Sequence, residues 1–303
     1  MKKYLTYIQL ALGMTIYGSG TPVSKLVTES FPVYIGSGLR MFFASVVLLP
    51  FIIKYREELK KFTAKDLINI ALIGFVGYFL FSIFMMLAMK NVSGVIGSIV
   101  MGTSPAVTAI ASVIFLKDKM TPRKWIAIGL VVVGLMYINF GELIEIMEFG
   151  GSFGMLIFGI FLVFLAVCCE AGYTIIGKEE AQIKPVLVSS LSVFFALVLF
   201  IPFSIPELSA FNISNVTTGQ WLSVIWWGAG TISLGLTLWY FGIEKVSGVE
   251  AAGFMGLMSV SALIFSYILL KEPFYIHQLI GFIIVFISII LLTYSPKGKG
   301  MEM

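Results

Sequence analysis

The chain has 303 residues, 59% of them hydrophobic and 12% charged, with a net charge of +4; a soluble domain carries roughly a quarter charged residues, so a water-soluble fold is excluded. Two adjacent cysteines, Cys168 and Cys169, and one histidine, His277, supply neither a disulfide framework nor a four-ligand zinc site. No GxxxxGKS loop offers a seat for ATP phosphates, and no cofactor motif is present. The basic residues fall in short segments between apolar blocks, where membrane orientation accounts for them without a nucleic-acid partner.

In chain order, apolar blocks close to the roughly 20 residues that cross a bilayer as a helix predict ten transmembrane helices, near 4–20, 32–53, 67–88, 94–116, 124–140, 153–177, 186–205, 220–242, 248–270 and 275–294. The start, Met1-Lys2-Lys3 and then apolar residues, has no small-residue cleavage site before the second block, so the first block is expected to be a retained helix. With both termini cytoplasmic, 16 of the 20 Lys and Arg lie in inside segments; only Lys25, Lys90 and Lys271 lie in outside loops, and Arg40 lies within a span. That bias is the positive-inside pattern of a multi-pass protein of the cell membrane. The connection from Gly141 to Gly151 carries Glu142, Glu145 and Glu148 and no Lys or Arg, which places it outside. It divides the chain into 1–140, an acidic connection 141–152, and 153–303.

The two halves repeat. A shift of 154 lays Val92-Ser93-Gly94-Val95 on Val246-Ser247-Gly248-Val249, Met101-Gly102 on Met255-Gly256, and Leu116-Lys117-Asp118 on Leu270-Lys271-Glu272. A shift of 152 lays Phe42-Phe43-Ala44 and Pro50-Phe51 on Phe194-Phe195-Ala196 and Pro202-Phe203. Because five helices is an odd number, the second copy enters the membrane from the opposite side, giving an inverted repeat in an all-α membrane protein. Two near-equal halves can exchange conformations, so one site between them can face either side in turn.

With ten spans in two halves, each half carrying a Ser-Gly turn, a small-residue helix and an acid after Leu-Lys (Asp118, Glu272), the chain resembles the EamA branch of the drug/metabolite transporter superfamily. The resemblance implies proton- or exchange-driven movement of amino acids, nucleosides, sugars or drug-like compounds, commonly outward. It also implies a central cavity lined by helices 1, 3, 4, 6, 8 and 9. One departure is that Ser104-Pro105 of helix 4 is matched in the repeat by Met258-Ser259 of helix 9, without a proline.

Glu170 is the sharpest signal, deep in the sixth apolar block within Cys168-Cys169-Glu170-Ala171-Gly172-Tyr173. A charged carboxylate against lipid costs several kcal/mol, so it must face a wet cavity, pair with a cation or stay protonated. One reading is a site where a proton and a cationic amine compete; the other is a buried structural partner of Arg40 or of a hydroxyl. The eight residues from Glu170 to Lys178 resemble the membrane glutamate and following lysine of the small multidrug resistance proteins. At the matching place in helix 1, Tyr17 precedes Lys25 by the same interval, setting a phenol opposite the acid. Tyr173 and Tyr78 are candidates for substrate contact or plain packing. Arg40 is read either as a ligand for a substrate carboxylate or a partner of Glu170, or as a packing residue bound to backbone carbonyls.

Small residues of helices 4 and 9, including Gly94, Ser98, Gly102, Gly253, Gly256 and Ser261, permit close helix approach, with Ser98, Met101, Met255 and Met258 as candidate cavity wall. Pro105, Gly102 and Gly256 are candidate hinges, Pro105 because mid-helix proline frees a carbonyl. Trp239 and Tyr240 are candidates for a gate at the cytoplasmic mouth or for an interfacial belt, whereas Trp226 and Trp227 receive no role. Glu250 reads as a helix cap, and Lys117-Asp118 and Lys271-Glu272 as interfacial anchors. The function expected is a proton-coupled exporter of amino acids or amines, acting as a monomer. Multidrug or lipophilic-cation efflux is the alternative, and a membrane enzyme or passive channel the more distant one.

Overall fold

The computed structural model describes residues 2–117, 121–123, 125–134, 137, 153–179, 183–243, 245 and 248–293, and among these every regular element is helical. In chain order they are α1 (Lys2–Gly18), α2 (Gly20–Thr28), α3 (Val33–Lys54), the short α4 (Arg56–Leu59), α5 (Ala64–Met89), α6 (Gly94–Met101) and α7 (Ser104–Leu116). They continue with α8 (Trp125–Gly134), α9 (Phe153–Glu179), α10 (Pro185–Leu208), α11 (Thr218–Gly242), α12 (Gly248–Leu270) and α13 (Ile276–Thr293). By length and composition six helical runs can cross a membrane: α3, α5, the joined α6–α7, α9, α10 and α11. Shorter apolar helices lie at Trp125–Gly134, Gly256–Leu270 and Ile276–Ser288. The acidic connection 141–152 lies outside the described residues.

Local signals set several starts. Thr63 opens α5 with a capping box to Asp66, and Thr217 opens α11 with the same device to Gln220, each hydroxyl and partner side chain satisfying an orphan N–H. Ser93 caps α6, and Pro185 occupies the first turn of α10, where its missing N–H costs nothing.

The first expected helix is corrected in length. It was expected to stop near 20 with Lys25 in a loop, but helical structure resumes at Gly20 and runs to Thr28. Pro22 falls in the first turn of α2, where proline is tolerated, so the chain restarts after Ser19 instead of ending. Lys25 is thereby held inside the bundle, its Nζ donating to the carbonyls of Met89 at 2.6 Å and Val92 at 3.0 Å, where α5 ends.

The helices pack inside-out relative to a soluble bundle. On α10, Phe194, Val198, Ile201 and Ile205 are exposed at alternating spacings of four and three, while Val193, Ala196 and Phe200 are buried. On α3, Phe42, Val46, Leu49 and Ile53 form a similar exposed stripe. Such apolar stripes suit lipid, and hydroxyls of Ser24, Ser37, Ser82, Ser190 and Thr231 are buried instead.

The helix α3 packs along α10 and α11, α1 along α11 and α12, and α9 along α5, α6 and α7. Two close approaches require glycine. A Cβ at Gly228 would collide with the Arg40 carbonyl, and one at Gly18 with the Met258 carbonyl and Ser261 hydroxyl. The first lets α11 press on α3 beside Arg40; the second draws α1 onto α12.

The end of the bundle away from the amino terminus, here the distal end, is tied by carboxylates. Glu207 at the end of α10 accepts the N–H groups of Tyr34 and Ile35 in the first turn of α3, at 2.9 and 2.8 Å. Glu272 after α12 accepts those of Gly94 and Val95 at the start of α6, at 2.6 and 2.8 Å. The reading of Glu272 as an interfacial anchor is therefore corrected: it satisfies orphan donors of another helix, where the helix dipole favours an anion. Asp118 lies outside the described residues.

Candidate functional site

Midway along the bundle, α1, α3, α5, α9 and α11 surround a small cavity lined by Tyr17, Arg40, Gly77, Tyr78, Glu170 and Tyr173. A second cavity shares Tyr17, Arg40 and Phe81 with it and continues to Thr21, Met85, Met101, Trp227, Thr231 and Met258. Each holds about 20 Å³, room for about one water. The described residues therefore leave only narrow voids here, a polar lobe and a methionine-lined lobe meeting at Arg40.

Two irregular turns aim residues at these lobes. Residues Gly74–Leu80 of α5 and Trp226–Gly235 of α11 are wound as π-helix, a widened turn that shifts the side-chain register and is frequent at functional sites. The first presents Gly77 and Tyr78, the second Trp227, Thr231 and Ile232. At Gly77 the missing side chain lets Tyr173 of α9 come close, since a Cβ would meet the Tyr173 Cβ at 2.8 Å.

Glu170 projects from the middle of α9 into the polar lobe beside the Ser104 hydroxyl, and its Oε2 is buried with no hydrogen-bond partner among the described residues. Tyr17 lines the same lobe from α1, so the acid and phenol matched by the repeat do share one space. Toward the amino-terminal end, the hydroxyls of Tyr173 and Tyr240 hydrogen-bond each other, Tyr240 also contacts Ser189 Oγ at 3.1 Å, and the Tyr78 ring meets that of Tyr173 edge-on at 5.9 Å.

Arg40 is 5% exposed. Its Nη1 donates to Ser82 Oγ at 2.8 Å, and its guanidinium lies 4.2 Å from the Trp227 ring centroid and 5.4 Å from that of Phe81. Arg40 and Glu170 line one lobe yet form no ion pair, and Nε of Arg40 is buried without a partner among the described residues. The expected alternatives of a bridge to Glu170 or a bond to backbone carbonyls are thus not what the geometry holds.

Several candidates fall elsewhere. Ser98 bonds the Gly94 carbonyl at 2.7 Å and Ser266 Oγ at 3.0 Å, joining α6 to α12 and not lining either lobe. Trp239 lines neither lobe, and its neighbour Tyr240 carries the contact. Pro105 does not interrupt a helix: the break falls at Gly102–Thr103, and Pro105 stands in the first turn of α7. Gly256 is buried, and a Cβ there would meet the Phe286 ring of α13 at 3.1 Å. The side chains of Met255, Lys178 and Glu250 lie outside the described residues.

Trp227, given no role from sequence, is in contact with Arg40. Phe81, Ser82, Thr21 and Thr231 were also unremarked. Thr21, Phe81 and Ser82 stand about one turn from Tyr17 or Tyr78 in sequence; Thr231, on a helix expected to face the cavity but carrying none of those residues, had no such signal. A larger groove of about 700 Å³, lined by apolar residues such as Ile110, Ile128, Phe164 and Cys168, lies among α7, α8 and α9. It lacks the convergent polar groups that orient a substrate.

A chain whose described elements are all helical, with lipid-suited stripes outside and a small cavity holding charged side chains within, has the build of a membrane carrier. The chain belongs to the EamA-like transporter family, whose profile matches it twice, over residues 5–140 and 157–294. It is 33% identical over 300 residues, 98% of this chain and 89% of the relative, to the uncharacterized transporter YetK of Bacillus subtilis. It is 24% identical over 185 residues, 60% of this chain and 57% of the relative, to a protein of Chlamydia muridarum named as an S-adenosylmethionine/S-adenosylhomocysteine transporter. A solved crystal structure superposes with a TM-score of 0.61 over 93% of this chain and 94% of that one at 14% identity, a likeness of fold alone.

Proposed function

We propose that this transporter is a ten-span, proton-coupled exporter of small amino acids or amines in the cell membrane, with both termini cytoplasmic, working as a monomer by alternating access between two inverted five-helix halves. The observation that carries the chemistry is Glu170, a carboxylate with no cationic partner among the described residues, its Oε2 buried without a hydrogen bond beside a small cavity in mid-bundle. A proton neutralises it when the cavity is empty of cations, and a substrate ammonium replaces that proton, so the two exchange at one group.

The repeat draws support from structural matches at the same offsets as the sequence ones. The capping boxes begin at Thr63 and Thr217, 154 residues apart. The π segments begin at Gly74 and Trp226, 152 apart. Among the described residues, the only non-glycine positions with positive φ are Lys117 and Lys271, at 57° and 52° and again 154 apart. Each of these lysines follows the last residue of a helix, where a left-handed residue closes the final turn.

A second reading, efflux of lipophilic cations, is favoured by the apolar groove beside α9. The named activity of the chlamydial relative adds S-adenosylmethionine and S-adenosylhomocysteine to the compounds worth testing.

The test is thermal unfolding of purified wild type and Glu170→Gln with a panel of amines, amino acids and lipophilic cations at two pH values. A ligand that binds only the folded state raises the unfolding temperature. Stabilisation by amines that strengthens at the higher pH in wild type and disappears in Glu170→Gln supports the exchange. Equal responses from the two proteins would assign Glu170 a structural role and end the mechanism.

A further inference from the structure

We infer that Arg40 is a carboxylate-binding subsite, so that the substrate is an amphoteric molecule holding its carboxylate on Arg40, its ammonium toward Glu170 and its apolar tail in the methionine-lined lobe. The inference deepens the amine-exchange reading and rests on it for the ammonium end alone.

A buried guanidinium is costly unless an anion or several acceptors surround it. Arg40 has one hydrogen bond, to neutral Ser82, an unpartnered buried Nε, and no ion pair among the described residues. Its remaining support is the π face of Trp227 and the ring of Phe81, which hold the plane of the guanidinium in place without neutralising it. Such a fork, fixed in orientation and short of acceptors, is built to receive a planar two-oxygen anion.

The two lobes assign the rest. Arg40, Tyr17 and Phe81 belong to both; Glu170 lies only in the polar lobe, while Met85, Met101 and Met258 lie only in the other. A molecule anchored at Arg40 therefore reaches the acid on one side and soft, deformable thioethers on the other. A lipophilic cation lacking an anionic group would leave the Arg40 charge uncompensated beside its own.

Three probes of one chain length separate the ends: norleucine, hexanoate, which lacks its amine, and pentylamine, which lacks its carboxylate. Binding is read by thermal unfolding of the full-length protein, wild type and Arg40→Gln, Arg40→Lys and Glu170→Gln. Wild type is expected to bind norleucine best. Arg40→Gln should weaken norleucine and hexanoate at least tenfold and leave pentylamine bound as well as or better than before, since the repulsion between the two cations is relieved, with Arg40→Lys between, because lysine keeps the charge without the fork. Glu170→Gln should weaken norleucine and pentylamine instead.

Should Arg40→Gln fail to fold, the wild-type tryptophan emission serves: hexanoate should shift it, and Trp227→Phe should remove the shift. Failure of hexanoate and norleucine to stabilise wild type, an unaltered carboxylate response in Arg40→Gln, or an emission shift that survives Trp227→Phe overturns the subsite. Loss of the pentylamine arm alone would instead strike at the amine-exchange reading and leave Arg40 standing.

Discussion

Replacing Glu272 should loosen the distal end of the bundle by a measurable factor. Its carboxylate accepts two backbone N–H groups at the start of α6, at 2.6 and 2.8 Å. Hydrogen bonds to a charged group contribute about 1.5–3 kcal/mol each when sheltered, and the side chain here is only half-buried. Screening by solvent reduces the pair to about 2 kcal/mol, including the favourable end of the helix dipole. At about 1.4 kcal/mol per factor of ten, Glu272→Ala should raise the open-to-closed ratio at this end roughly thirtyfold, and Glu272→Gln, which keeps one good acceptor, by less. The assay is the rate at which a cysteine at Val95, 1% exposed and packed with Ile99 and Leu263, reacts with a maleimide, in a Cys168→Ser, Cys169→Ser background. When opening is fast, labelling follows the population of the open form. A Val95→Cys rate that does not move with Glu272→Ala, in protein that still unfolds cooperatively, would refute the reasoning.

Glu207→Ala should leave the Val95→Cys labelling rate nearly unchanged, because its partners are Tyr34 and Ile35 of α3 and distant sites act independently; it should still lower the unfolding temperature. Tyr240→Phe removes the hydroxyl shared with Tyr173 and Ser189 and should speed labelling of a cysteine at Ser189, as expected for the loss of about 1 kcal/mol of hydrogen bonding. Gly228→Val drives a side chain into the Arg40 carbonyl and should destabilise the α3–α11 contact by about 1–3 kcal/mol, seen as a lower unfolding temperature than Gly177→Val, where nothing lies within 4 Å of the added Cβ.

Apolar block lengths made the helical spans legible, because a bilayer demands long uninterrupted apolar runs and the sequence supplies them. Boundaries failed where a helix restarts: the first helix was expected to end near 20, but helix resumes at Gly20 with Pro22 in its first turn, where a proline is permitted. Glu170 was legible because a carboxylate in an apolar run has few cheap explanations. Trp227 was not, since one aromatic among many gains meaning only from the partner across the helix interface, here Arg40 on α3. The π turns in α5 and α11 were also hidden, because a one-residue change of register leaves no mark on hydrophobic periodicity. Glu272 was misassigned because its partners, two backbone N–H groups 178 and 177 residues away, carry no side-chain signature.

The two ends of the cavity are closed by different chemistry, and that difference bears on the proposed cycle. At the distal end, carboxylates from α10 and the end of α12 grip the starts of α3 and α6; at the other, the phenols of Tyr173 and Tyr240 join α9 to α11 with Ser189 of α10. An exact repeat would close both ends alike and leave the two facing states nearly equal in energy. Each carboxylate cap is lost when its own side chain is removed, and each phenol contact when its hydroxyl is removed, so the two ends can be opened separately. At one fixed pH, which holds the thiolate fraction constant, Val95→Cys should label faster with Glu272→Ala while Ser189→Cys labels at an unchanged rate, and Tyr240→Phe should do the reverse. If both cysteines respond to either substitution together, the ends are coupled through the cavity and not closed independently, and Glu170, which lies between them, becomes the group to substitute next.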